Sequence, residues 1–226
     1  NLSYKIEVGD SLTAPAPDAD QRQTDFIRQQ VEEFSDLKAA YMRAHSGKKA
    51  LGTQIEKLRR EIRTWLHAKT GVSGLDWRVD FAEVFLDGGF DVVLANPPYV
   101  RADAQFRHAA DEEERQREIA RWKEYRLALR NGGVYQTLYE KWDLYLPFLE
   151  RAHQLLRPDG RMVFIISDAF NAAKYAAKSH AFFLANARVE RVDFCTDIPL
   201  FEAGVANTIV HLAKATPDAG HQPVRV

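Results

Sequence analysis

Phe90-Asp91-Val92-Val93-Leu94-Ala95-Asn96-Pro97-Pro98-Tyr99 is the stretch that decides the fold. Its first six residues form a short apolar run of the kind found in strands buried within parallel sheets. Asn96-Pro97-Pro98 stops the run abruptly, because proline fixes φ and has no backbone N–H to give to a ladder. Two prolines in succession make a stiff turn that presents carbonyl oxygens, with the Asn96 amide oxygen beside them. Ligands of open α/β sheets collect at the carboxyl ends of the strands, so this acceptor-rich turn stands where chemistry is expected.

Working outward, Met162-Val163-Phe164-Ile165-Ile166 reads as a second buried strand, with Val189 to Phe194 and Asn207 to Leu212 as two more. A helix with Leu144, Phe148, Ala152 and Leu155 on one face precedes Pro158-Asp159-Gly160, a turn that cannot continue it, and Ala169 to Asn186 reads as one further helix. Asp111 to Arg130 is charged, weakly amphipathic and read as a surface helix. Strands alternating with helices predict an α/β fold: a partial Rossmann-like, mostly parallel sheet with helices on both faces.

Upstream, Ile27, Val31, Phe34, Leu37 and Tyr41, then Leu51, Ile55, Leu58, Ile62 and Leu66, recur at spacings of three and four. That pattern predicts an inserted helical hairpin over about 18–70 with narrow apolar seams. Its Lys48, Lys49, Lys57, Arg59, Arg60 and Arg63 could meet phosphates, although a structural spacer is the simpler reading. Tyr4 to Val8 alternates like a short strand and leaves Asp10 at its tip. From about residue 216, prolines and glycines predict a loose tail.

The 226 residues, 46% of them apolar, suffice for one core, and a net charge of −1 leaves any nucleic-acid contact to local patches. One cysteine and seven scattered histidines give neither a disulfide framework nor metal-ligand spacing, so no metal is expected. No run approaches the roughly 18 apolar residues of a membrane span, and no signal peptide is recognisable, so no membrane partner and a cytoplasmic location are expected. The chain opens on Asn1, which reads as a fragment of a longer polypeptide.

Gly89-Phe90-Asp91-Val92-Val93-Leu94-Ala95-Asn96-Pro97-Pro98-Tyr99-Val100-Arg101 resembles the catalytic motif of amino-methyltransferases, particularly the large DNA adenine-N6 enzymes of restriction-modification systems. Gly9-Asp10-Ser11-Leu12 is similar to the motif whose aspartate binds the adenine ring of S-adenosyl-L-methionine. Trp142-Asp143-Leu144-Tyr145 and Leu155 to Ile166 are similar to the helix and strand after the catalytic loop. Leu200-Phe201, ahead of Val205-Ala206-Asn207-Thr208-Ile209, looks like the late motif whose phenylalanine packs on a flipped adenine.

The resemblance implies catalysis at Asn96, Pro97, Pro98 and Tyr99, cofactor binding at Asp10, and base binding by Tyr99 and Phe201. An adenine amino group has two N–H donors. Accepting both, from the Asn96 side chain and the Pro97 carbonyl, would free the nitrogen lone pair for attack on a methyl sulfonium, with positioning and electrostatics supplying most of the acceleration. The target in double-stranded DNA would have to be flipped out, with Tyr99 replacing part of its lost stacking.

The resemblance also implies parts that this sequence lacks. The family's glycine-rich cofactor motif precedes the aspartate motif, and no Gly-x-Gly occurs here; nor is a target-recognition domain present. The whole chain therefore reads as part of a methyltransferase catalytic domain, expected to be inactive alone and to need the upstream segment and recognition domain as partners.

Three other readings remain. Protein-glutamine methyltransferases share the Asn-Pro-Pro-Tyr loop but keep the aspartate and catalytic motifs close together. Gly9-Asp10-Ser11-Leu12 with Asp218-Ala219-Gly220-His221 spells short serine-esterase blocks, without the oxyanion donors that mechanism needs. The last alternative is a non-catalytic DNA-binding or assembly module.

Overall fold

The computed structural model describes residues 4–15, 25–67, 75–196, 198, 200–201, 205–217 and 224–225. The chain divides into two compact units, Asn1–Gly89 and Phe90–Val226.

The first unit is helical. α1 (Asp25–Arg43) and α2 (Lys48–His67) are joined by a short connection in which Gly47 takes a positive φ of 73°, and α3 (Trp77–Asp80) and α4 (Ala82–Leu86) follow. The three-and-four spacing brings Val31, Phe34, Ile55, Leu58 and Ile62 together with Val79 and Ala82 into one core. Tyr4 packs against this core too, its ring edge-on to Tyr41 at 5.0 Å. Tyr4 takes a φ of 63°, and residues 4–8 form turns and bends rather than the expected strand.

Buried charge completes this unit. Lys38, 2% exposed, donates to the Asp80 carbonyl at 2.8 Å and to both Glu83 oxygens at 2.7 and 2.9 Å. The Asp80 carboxylate, 1% exposed, receives Arg63 at 2.9 and 2.8 Å and Arg59 at 3.3 Å. Two of the basic residues read as possible phosphate contacts therefore close onto an internal aspartate.

The second unit is an α/β layer. β1 (Phe90–Ala95), β2 (Leu156–Ser167), β3 (Arg188–Cys195), β4 (Asn207–Ala213) and β5 (Val224–Arg225) form one sheet in the order β1-β2-β4-β3-β5. β1 runs parallel to β2 and β3 parallel to β5, while β4 lies antiparallel between β2 and β3. The α/β class holds, but the sheet is mixed rather than mostly parallel. An apolar run does not encode strand direction, which the connections decide.

β1 is also less buried than its composition predicts. It lies at the sheet edge, with Val92 53% and Leu94 71% exposed. Pro158-Asp159-Gly160 belongs to β2 itself: Asp159 N–H donates to the Lys214 carbonyl at 2.9 Å, and Lys214 N–H returns a bond to the Gly160 carbonyl at 2.8 Å. A Cβ on Gly160 would meet the Phe90 carbonyl oxygen at 2.8 Å, so this glycine permits the close passage of β2 beside β1.

α5 (Glu112–Asn131), α6 (Tyr145–Leu155) and α7 (Ala177–Asn186) complete the unit, with α6 packing on β1 and β2 and α7 on β3. α6 is buried nearly all round rather than on one face. Glu150, on that helix, accepts the Gln136 and Thr137 amides at 2.8 and 2.9 Å. α5 is not wholly a surface helix, because Trp122 and Leu129 are buried.

The single helix expected over Ala169 to Asn186 is instead two 3-10 turns, Asp168–Asn171 and Lys174–Ala176, followed by α7. Local side-chain bonds compete with helix there: the Asn171 amide donates to Asp168 Oδ1 at 2.6 Å and to Thr208 Oγ1 at 2.7 Å. Cys195 is buried with a free thiol, and among the described residues no helix is long and apolar enough to cross a membrane.

Candidate functional site

β1 delivers Asn96 at its carboxyl end. β4 runs the opposite way to β2, so its first residue, Asn207, arrives at the carboxyl ends of β2 and β3, paired with Ser167 and Cys195. Here Asn96, Pro97, Pro98, Tyr99, Phe201 and Val205 line a cavity of about 370 Å³. Phe201 is 39% exposed and Val205 43% exposed. The structure thus brings five of the six predicted site residues to one place.

The cavity walls divide the work. Pro97 is buried while Asn96 is exposed, and among the described residues no hydrogen bond occupies the Asn96 amide. Tyr99 is half-buried and fixed at its far end: its hydroxyl donates to the Ile165 carbonyl at 3.1 Å and accepts from Asn207 Nδ2 at 3.1 Å. Burial raises the Tyr99 hydroxyl above its ordinary pKa, against the opposing hydrogen bond from Asn207, with the Asp143 charge adding to the rise. The phenol therefore stays protonated and serves as an anchored aromatic wall.

The loop behind Tyr99 is held by Trp142-Asp143-Leu144-Tyr145. Leu144 N–H donates to the Val100 carbonyl at 3.1 Å, and Leu146 N–H donates to the Asp143 carbonyl at 3.1 Å. The Val100 carbonyl is thereby held, one residue after Tyr99. Burial raises the Asp143 carboxyl above the ordinary aspartate range despite the backbone donors that favour its charge. The Tyr145 ring lies edge-on to Tyr99 at 6.3 Å, and Trp122 Nε1 donates to the Arg101 carbonyl at 2.9 Å.

A second cavity of about 630 Å³ shares Tyr99 with the first and is otherwise lined by residues 100–101 and 103–108. Arg101 pairs with Asp103 at 3.3 Å, with both side chains largely exposed. Besides Tyr99, Arg107 and His108 are the other charged or titratable side chains of this lining.

Asp10 belongs to the first unit. Its Oδ1 accepts from its own turn, Leu12 N–H at 2.9 Å and Thr13 N–H at 3.4 Å. The turn geometry that makes an aspartate common after such a stretch is thus fully expressed. Asp218 and His221, required by the esterase reading, lie outside the described residues. Sequence reasoning assigned no role to Asp143 or Asn207. Both sit inside the quoted motifs, but only the register across β2 and β4 and the fold of the loop show what they touch.

A cofactor is implied by the family resemblance, and the cavity around Asn96 does not by itself fit it. Its lining carries acceptors, two prolines and aromatic or aliphatic walls, and no charged side chain to meet a methionine carboxylate or ammonium. It is suited to a flat ring bearing an amino donor.

Comparison with known proteins agrees with the motif reading. Over 157 residues the chain is 29% identical to the type II methyltransferase M.XhoI of Xanthomonas vasicola, covering 68% of this chain and 26% of that protein. Over 116 residues it is 33% identical to the type II methyltransferase M.BstVI of Geobacillus stearothermophilus, covering 51% of this chain and 17% of that protein. Among solved structures, the type IIG restriction endonuclease BpuSI aligns over 57% of this chain and 14% of its own, with 22% identity and a TM-score of 0.38, a likeness too slight to carry an argument. The chain spans about a quarter or less of the relatives it matches. Residues 27–201 match the Eco57I restriction-modification methylase description, and with its Asn-Pro-Pro-Tyr turn at the carboxyl edge of an α/β sheet the chain belongs to that methyltransferase family.

Proposed function

We propose that this chain supplies the base-binding half of an S-adenosyl-L-methionine-dependent DNA methyltransferase acting on the N6 amino group of a flipped-out adenine. The carrying observation is the convergence of the unoccupied Asn96 amide, the Pro97-Pro98 turn, the anchored Tyr99 ring and Phe201 in one cavity of about 370 Å³.

An exocyclic amino group entering the cavity meets acceptors rather than donors. The Asn96 side-chain oxygen and the Pro97 carbonyl accept its two N–H bonds, which draws the nitrogen toward tetrahedral geometry and exposes its lone pair. Such fixed dipoles act without reorganising during the reaction. Tyr99 and Phe201 hold the ring by stacking, each aromatic contact supplying about 1 kcal/mol beyond burial. No general base is needed among the lining residues, because the amino nitrogen becomes strongly acidic only once methylated and would then release its proton to solvent. The methyl group would come from the sulfonium of the cofactor, which would leave as a neutral thioether, and the cofactor's site requires groups beyond those lining this cavity.

The adjoining basic cavity fits the same reading. Arg101, Arg107 and His108 are exposed beside Tyr99, where the sugar-phosphate flanking an extruded nucleotide would run. The chain is thus part of a catalytic domain, and the polypeptide in which it occurs carries the complete activity.

The test is the identity of the product. That polypeptide is incubated with unmodified DNA and methyl-labelled cofactor, and the DNA is digested to nucleosides. Labelled N6-methyl-2′-deoxyadenosine is expected. Label in cytosine, or in a protein glutamine with none in DNA, would overturn the proposal.

A further inference from the structure

We infer that Asn207 is a positioning residue for base binding: its side-chain amide fixes the Tyr99 hydroxyl, and through it the plane of the ring against which the base stacks. The inference rests on the base-binding role proposed for Tyr99.

A tyrosine hydroxyl has one proton, and that of Tyr99 goes to the Ile165 carbonyl at 3.1 Å. The hydroxyl can then only accept from Asn207, which requires the Asn207 NH2 group, 3.1 Å away, to face it. The same nitrogen lies 3.4 Å from the Ile166 carbonyl. Two anchors on adjacent strands define a ring plane, whereas one leaves a pivot about the Ile165 bond. The edge-on Tyr145 ring at 6.3 Å supports Tyr99 from the side without fixing its hydroxyl.

Asn207 is fully buried, and among the described residues its Oδ1 has no hydrogen-bond partner. An apolar side chain would avoid that orphaned oxygen. A buried amide with one satisfied end is what a directional task produces and what packing alone disfavours. The position also follows from topology, since only a strand running against β2 brings its first side chain to the edge where Asn96 and Tyr99 stand.

The test is a double-mutant cycle in the complete polypeptide with Asn207→Ala, Tyr99→Phe and both together, reading kcat and KM for DNA separately. Removing one neutral hydrogen bond should lower kcat by about threefold to tenfold in either single variant, with little change in KM, and the double variant should be no slower than the slower single. Losses that multiply in the double variant would overturn the inference, because Asn207 would then act independently of the hydroxyl. Should Asn207→Ala fail to fold, Asn207→Ser, too short to reach Tyr99, takes its place. The 13Cζ resonance of labelled Tyr99 provides a readout without substrate. A shift on substituting Asn207 is expected, and an unchanged resonance overturns the inference whatever the product of the reaction. A resonance that shifts on substituting Asn207, together with a wild-type protein that methylates no adenine, overturns the base-binding reading instead.

Discussion

The two units treat polar side chains in opposite ways. In the first, charge is turned inward: Lys38, Arg59 and Arg63 converge on Asp80 and Glu83 beneath the helices, and each finds its partner within the unit. In the second, one polar side chain at the carboxyl end of β1 is left open. Asn96 is exposed with its amide unengaged, beside aromatic and aliphatic side chains that are themselves part-exposed. Inward satisfaction is the signature of architecture, and an unsatisfied acceptor on a rigid turn is the signature of a ligand site. On the proposed function, the first set of residues serves stability and the second chemistry, and substitutions can break that division.

The largest stability effect should come from Asp80→Ala. It takes the buried carboxylate away from Arg63 and Arg59, while Lys38 keeps the Asp80 carbonyl and Glu83, and loss of about 3 kcal/mol or more is expected in chemical unfolding. If the first unit tolerated the change, its charges would be surface pairs and free to meet phosphates.

Next is Gly160→Ala, whose Cβ would press on the Phe90 and Arg157 carbonyl oxygens at 2.8 and 2.9 Å. Backbone cannot yield as a flexible side chain does, so about 1–3 kcal/mol should be lost. Because β1 carries Asn96, methyl transfer should fall with it.

Asp143→Asn should have a smaller, pH-dependent effect. Its raised carboxyl pKa means that the folded chain holds this proton more tightly than the unfolded chain does. Its contribution is complete below the ordinary aspartate range and is lost as pH rises through the raised value. Asparagine cannot ionise, so the variant's Tm relative to wild type should climb through that window and stay flat below it. A difference independent of pH would show that the Asp143 proton is not coupled to folding.

The smallest effect belongs to Leu94→Lys. At 71% exposure, Leu94 should accept the change within about 0.5 kcal/mol by thermal or chemical unfolding. A loss of several kcal/mol would mean that this face of β1 is covered in the molecule.

Much of the site was legible in the sequence, because a proline pair after an apolar run marks both a strand end and its rigidity. The helical seams of the first unit were legible for a similar reason: Val31, Phe34, Ile55, Leu58 and Ile62 follow the helical period into the core. Less could be read where meaning depends on distant partners. Asn207 meets Tyr99 across a separation of 108 residues, through a register that local patterns do not encode. The antiparallel setting of β4 was invisible for the same reason. The exposed face of β1 was missed because Val92 and Leu94 have the composition of buried strand residues whatever covers them.

The most direct test of the central claim is methyl transfer by the complete polypeptide carrying Asn96→Ala, with Tm recorded alongside. Because Asn96 is exposed and makes no described hydrogen bond, Tm should stay within about 2 °C of wild type, corresponding to less than about 0.5 kcal/mol. Loss of one preorganised acceptor should lower N6-methyladenine formation by about 100-fold or more. An unchanged Tm with undiminished methylation would place the chemistry elsewhere and contradict the account.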